Sequence, residues 1–184
     1  MTKWDQKYRA GYGASGTPEP ALIQAITDVA PGVALDLACG RGRNAVYLAL
    51  RGWTVTALDS SQVAIDELPG TIDARCIDLE SPDFQIAPDA YDLICDCNYL
   101  HRPLFPQIRA GLKAGGHFVA VIPMIDDDPA VTPMNPAYLC QPGEIQSLFA
   151  DWEIIYTTER KPTRDPSRRR VAELIARKPQ PERG

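Results

Sequence analysis

The chain has 184 residues, 45% hydrophobic and 23% charged, which suits one domain with its own core. A formal net charge of −5 excludes a globally basic nucleic-acid or anionic-membrane binder. No apolar run reaches the length of a membrane span, and Met1 to Asp5 carry no apolar signal core, so the sequence predicts a cytoplasmic protein, monomer or homodimer.

Residues 3–12 are polar and aromatic, with Trp4, Tyr8 and Tyr12. They read either as a frayed leader or as a short helix whose aromatics fold over a ligand. After Thr17-Pro18-Glu19-Pro20, apolar residues recur at helical spacing (Leu22, Ile23, Ile26, Val29), predicting an amphipathic helix over 19–30 that Pro31-Gly32 stops.

The segment from Ala34 to Asn44, ALDLACGRGRN, organises the rest of the chain. Val33, Leu35 and Leu37 alternate as a strand, Gly40 and Gly42 allow a tight turn and close ligand approach, and Asn44 opens an apolar helix to about Leu50. The unpaired N–H groups of that helix start favour a negative or polar group. Gly40, Gly42 and Ala45 fit the dinucleotide pattern G-x-G-x-x-G/A, and Asp59 comes about 20 residues later, where a ribose-binding acid belongs. Asp36, inside the strand end, suits instead a ligand carrying an amine.

The strand from Trp53 ends in Asp59, and Ser60 or Ser61 can cap a helix from Val63 to Leu68. A third strand, Thr71 to Ile77, ends in Asp78-Leu79-Glu80. Three successive strands thus end in Asp36/Gly40, Asp59 and Asp78. In an open α/β sheet, ligands sit outside the carboxyl ends of the strands, so these acids converge on one rim. Tyr91 to Cys97 form a fourth strand, followed by a polar loop from Asn98 to Pro103 and a helix through Leu104, Ile108 and Leu112. Lys113 to Gly116 read as a turn before a fifth strand, His117 to Ile122.

Pro123 to Gln141 are a long connection rich in proline and acid, read as a lid or an exposed excursion. A short helix from Pro142 to Phe149 comes next. Trp152 to Thr158 and Arg170 to Ala176 are the last strands, an antiparallel hairpin whose loop carries Arg160, Lys161, Arg164, Arg168 and Arg169. That loop is either a solvated charge run or a clamp for an anionic substrate. The five cysteines are an odd number without C-x-x-C spacing and read as reduced thiols. Cys95, Cys97 and His101 have poor zinc spacing, and no metal is expected.

From Trp4 to Lys178 the chain resembles the class I S-adenosylmethionine (SAM) methyltransferases, and within them the small tellurite-resistance (TehB-like) group. The resemblance is carried by Asp36-Leu-Ala-Cys-Gly-Arg-Gly-Arg-Asn44, Tyr47-Leu-Ala, Asp78-Leu, Tyr91-Asp-Leu-Ile, Lys113-Ala-Gly-Gly, Gly143-Glu and Leu174-Ile-Ala-Arg-Lys178. It implies a single α/β, Rossmann-like domain over residues 1–178, with 1–18 covering the cofactor and 179–184 as a tail. It implies a seven-stranded sheet of order 3-2-1-4-5-7-6, its last strand antiparallel, with helices on both faces.

The resemblance also implies cofactor contacts at Asp36, Gly40, Asn44, Asp59, Ser60, Asp78, Leu79 and Asp96, to which the glycine turn and the aromatic leader add Ala38, Gly42 and Tyr8. Asp36 would face the amine, Asp59 the ribose and Asp78 the adenine, with S-adenosylhomocysteine (SAH) as product. The resemblance implies handling of a small acceptor, anionic or a soft nucleophile, by basic residues near the last hairpin, here Arg164 and Arg168, while the loop after the fourth strand offers His101, Tyr99 and Arg102 by position. His101 is the candidate base, or else only caps the next helix. The tellurite-type pattern has a histidine beside an arginine in that loop, and this loop has none. A nicotinamide-dependent oxidoreductase and a non-catalytic SAM-binding module are the competing readings.

Overall fold

A computed structural model of the chain describes residues 2–13, 16–161 and 167–180. One seven-stranded sheet runs in the order β3-β2-β1-β4-β5-β7-β6, as the resemblance implied. Its strands are β1 (Val33–Leu37), β2 (Thr54–Asp59), β3 (Asp73–Cys76), β4 (Tyr91–Cys97), β5 (Leu112–Pro123), β6 (Glu153–Arg160) and β7 (Val171–Arg177). β1 lies between β2 and β4, all parallel, while β7 runs antiparallel to both β5 and β6. The helices are α1 (Lys3–Arg9), α2 (Pro20–Ile26), α3 (Arg43–Leu50), α4 (Gln62–Ile65), α5 (Leu104–Gly111) and α6 (Glu144–Ser147).

The pleat divides the core in two. Ala34, Leu93, Cys95, Val119 and Ile175 face α2 and α3, packing on Leu22, Ala45 and Leu48. Leu35, Leu37, Ile94, Phe118 and Leu174 face the other way, onto Leu104, Ile108 and Phe149. The strands between are buried on both faces and so read as apolar runs.

Several expectations are corrected. The helix over 19–30 closes at Ile26, and the one over 63–68 shortens to Gln62–Ile65. No turn separates α5 from the fifth strand: β5 starts at Leu112, and the register slips once opposite Tyr91 and Leu93. Two glycines make that possible. Gly115 sits at φ +78°, and a Cβ on Gly116 would meet the Lys113 carbonyl oxygen at 2.9 Å. The acid-rich connection after β5 is pinned rather than loose. Met124 bridges to Cys140, and Arg102 donates to the carbonyls of Ala137 (3.0 Å) and Leu139 (3.1 Å) while pairing with Glu144. Arg169 holds the Thr132 carbonyl at 2.7 Å.

Candidate active site

A cavity of about 610 Å³ opens at the carboxyl rim of β1, β2 and β4, with α1 across it. This is within the size range of small-molecule sites. Its floor is the turn after β1. Ala38 sits at φ +50° and Gly40 at φ +56°, left-handed backbone that bends the chain back toward β2, where the Cys39 N–H meets the Leu58 carbonyl at 2.8 Å. Gly42, at φ +75°, is the N-cap of α3.

Asp59 ends β2 and is 6% exposed. Its carboxylate accepts the Gly40 and Ser61 N–H groups at 2.9 Å each. Burial pushes its pKa up, while hydrogen bonds from Ser61, Gly40, Tyr8 and Ser60 pull the other way. Asp59 and Ser60 line the cavity, as do Asp78 and Leu79 beyond β3. Ala38, Gly40 and Tyr8 line it too, and Tyr99 and Arg168 complete the set of expected residues brought together.

The other expected residues lie elsewhere. Asp36 is 1% exposed, beneath the turn, where its carboxyl accepts the Ala45 N–H at 3.1 Å and the Cys95 thiol at 3.2 Å. Burial pushes its pKa up to about 7. Asn44 also points inward, its Oδ1 accepting the Glu19 N–H at 2.9 Å. A Cβ on Gly42 would meet Leu68 at 2.8 Å, so that glycine makes room for the Leu68 side chain beyond α4. Asp96 is 1% exposed, and its Oδ1 has no hydrogen-bond partner among the described residues; burial first, then Asp36, pushes its pKa well up. His101 stays outside the cavity wall and its carbonyl accepts the Leu104 N–H at 2.9 Å, the helix-capping alternative. Arg102 is committed to Glu144 and the pinned connection. The connection itself contributes nothing to the wall. Arg164 lies outside the described residues.

Of the described basic residues between 160 and 170, only Arg168 lines the cavity. Arg160 pairs with Glu173 at 2.7 Å and Lys161 with Asp128 at 2.7 Å. Sequence reasoning missed Arg41, Cys97 and Asn98 as wall residues. Asn98 carried a signal: asparagine tolerates the left-handed conformation that a sharp exit from a strand needs, and it sits at φ +65°.

The sequence matches the family described as tellurite resistance protein TehB over residues 3–162. The chain belongs to the TehB family. Among TehB relatives, the probable S-adenosyl-L-methionine-dependent methyltransferase TehB of Haemophilus influenzae is 28% identical over 149 residues, covering 75% of this chain and 52% of that protein. Hemagglutinin 1 of Eikenella corrodens is 31% identical over 157 residues, covering 76% of this chain and 50% of that protein. The chain thus spans about half the length of the curated relatives it matches. The crystal structure of H. influenzae TehB superposes with a TM-score of 0.76 at 24% identity, covering 95% of this chain and 67% of that one. The 1,6-didemethyltoxoflavin-N1-methyltransferase of Burkholderia thailandensis, solved with S-adenosylhomocysteine, gives 0.68 at 19% identity, covering 95% of this chain and 85% of that one. These two likenesses show the class I methyltransferase fold.

The TehB-type wall fits an adenosyl cofactor. A Cβ on Gly40 would lie 2.8 Å from the Tyr8 oxygen, so the turn leaves room for polar atoms against its backbone. Asp59 presents a carboxylate beside that space, as a ribose diol requires.

Proposed function

We propose that the chain transfers a methyl group from SAM to a small acceptor that is anionic or a soft nucleophile. The family and the cavity support the donor. SAM supplies a methyl group activated by its sulfonium. The chain's own residues then have to bind, orient and exclude water. Asp59 and Ser60 would hold the ribose, and Asp78 and Leu79 the adenine, while Trp4, Tyr8 and Tyr12 cover the opening. The sheet order also departs from the dinucleotide-binding order 3-2-1-4-5-6, which disfavours the oxidoreductase reading.

One observation carries the acceptor class. Burial pushes the Cys39, Cys97 and Tyr99 groups up, so each stands protonated at the wall, while Arg168 brings a cation. The carboxylates of Asp59, Asp78 and Glu80 also line the cavity, at or beyond the ends of β2 and β3, where the cofactor is assigned. The reading therefore rests on the Arg168 side, which favours a nucleophile that carries negative charge and needs no proton removed. A panel of soft anions, tellurite among them, assayed against neutral amines and phenols for SAH formation tests this. The expected result is turnover with the anions and, in Arg168→Ala, a KM for them raised about tenfold or more with SAH affinity unchanged. Preference for a neutral acceptor, indifferent to Arg168→Ala, would overturn the acceptor class.

A further inference from the structure

Asp36 lies beneath the turn, so an ammonium group in the cavity needs another partner. The charged residues of the described wall divide by place. Asp59, Asp78 and Glu80 stand at or beyond the carboxyl ends of β2 and β3. Arg41 is committed to Glu67 and to the carbonyls of Tyr8 and Tyr12. Arg168 precedes β7, on the side assigned to the acceptor. That leaves Glu19 and Arg43, and these two form a pair, Arg43 Nη2 to Glu19 Oε2 at 2.6 Å.

The fold fixes where this pair stands. Arg43 is the first residue of α3, directly after the glycine turn. Glu19 is the N-cap of α2, and its N–H donates to Asn44 Oδ1 at 2.9 Å, which ties the start of α2 to the start of α3. The Glu19 side chain makes no cap hydrogen bond and goes to Arg43 instead. α2 packs on β5 and β7, so Glu19 lies on the opposite side of the turn from β3. Adenine beyond β3 and a group beside β4 are three strand spacings apart, about 14 Å, which the ribose and thioether linker of the cofactor can bridge. Both partners also keep capacity. Arg43 donates otherwise only to the Thr17 carbonyl at 3.2 Å among the described residues, leaving most of its guanidinium N–H groups for a ligand.

We propose that Glu19 and Arg43 hold the amino-acid end of the cofactor, Arg43 its carboxylate and Glu19 its ammonium. This rests on the SAM reading and assigns the part of that ligand which Asp36 does not reach. The charges match in number as well as in sign. An α-amino-acid group carries one positive and one negative charge on neighbouring atoms, and the pair offers one of each. An anionic acceptor in the same place would meet Arg43 but be repelled by Glu19. The side chains of Arg43 and Glu19 are 29% and 16% exposed, so bonds to them form partly out of water, where charge-assisted hydrogen bonds are strong.

Calorimetric titration of SAH and of 5′-methylthioadenosine, which shares the adenosyl thioether and lacks the amino-acid group, decides the matter. Each ligand is titrated into the wild type, Glu19→Gln and Arg43→Gln. The expected result is SAH binding weakened about tenfold or more by either substitution, with methylthioadenosine bound alike by all three proteins. A pair that only tied α2 to α3 would not distinguish the two ligands. A variant of either residue whose SAH affinity does not fall, or falls together with that for methylthioadenosine, overturns the assignment and leaves the cofactor reading standing. No binding of either ligand by a wild type with a cooperative melting transition overturns both.

Discussion

Asp59→Ala is expected to lower SAH affinity by about a hundredfold or more, the loss of two hydrogen bonds to a charged acceptor. The cause is local. Asp59 is the acceptor for the Gly40 and Ser61 N–H groups, and both line up on it at 2.9 Å. Removing it deletes the proposed ribose seat and also the Gly40 bond that, beside the Cys39–Leu58 bond, ties the turn after β1 to β2. The variant should therefore lose melting temperature as well as affinity. Asp59→Asn separates the two effects. An amide oxygen can keep one of the backbone donors, so most of the stability returns, while an NH₂ group cannot accept a ribose hydroxyl. A titration in which Asp59→Ala binds SAH as tightly as the wild type, with its fold intact, would remove Asp59 from the site.

The second large effect concerns stability and pH. Burial pushes the Asp36 pKa up to about 7, helped by the Asp59 charge and opposed by the Cys95 and Ala45 hydrogen bonds and by Arg43. In the unfolded chain the group titrates near its ordinary value of about 4. Between those values the folded state holds a proton that the unfolded state has released. Stability is therefore fully present below about pH 4 and is lost as pH rises through about 7, a change of order 4 kcal/mol from this group. Asp59 and Asp96, also raised by burial, add to the same slope, and half-buried His117, with its pKa lowered, opposes it. Asp36→Asn keeps an acceptor for the Ala45 N–H and carries no charge. Urea unfolding at about pH 5 and about pH 8 is expected to show the variant gaining several kcal/mol on the wild type at the higher pH. The same difference at both pH values would mean that Asp36 is not buried as a neutral acid.

Asp36 also shows how far the residues alone could lead. Its place at a strand end suggested a ligand contact, yet pleat parity was readable. Asp36 shares a face with Ala34, two residues earlier, and that face packs under α3. Asn44 misled in the same way, since an inward helical position lies beside Ala45 and Leu48, not over the turn. Asp59, Asp78 and Gly40 could be placed on the cavity wall because each lies at or just past the carboxyl end of a strand. The sheet order came from resemblance, and the short link between the last strands supported it. What could not be read was long-range pairing. Arg102 meets Glu144 across 42 residues and Arg169 reaches Thr132 across 37, and these contacts turn an apparently loose acidic connection into a braced one. The twin glycines at 115 and 116 looked like a turn because a bulge inside a continuing strand uses the same residues.

On the proposed reading, the rim of β1, β2 and β4 holds an adenosyl sulfur compound and not a dinucleotide. Calorimetric titration of the purified chain with SAH and, separately, with NAD tests it most directly. Saturable one-site binding of SAH, with no measurable heat of binding for NAD, is the expected result. Saturable NAD binding with no response to SAH would contradict it.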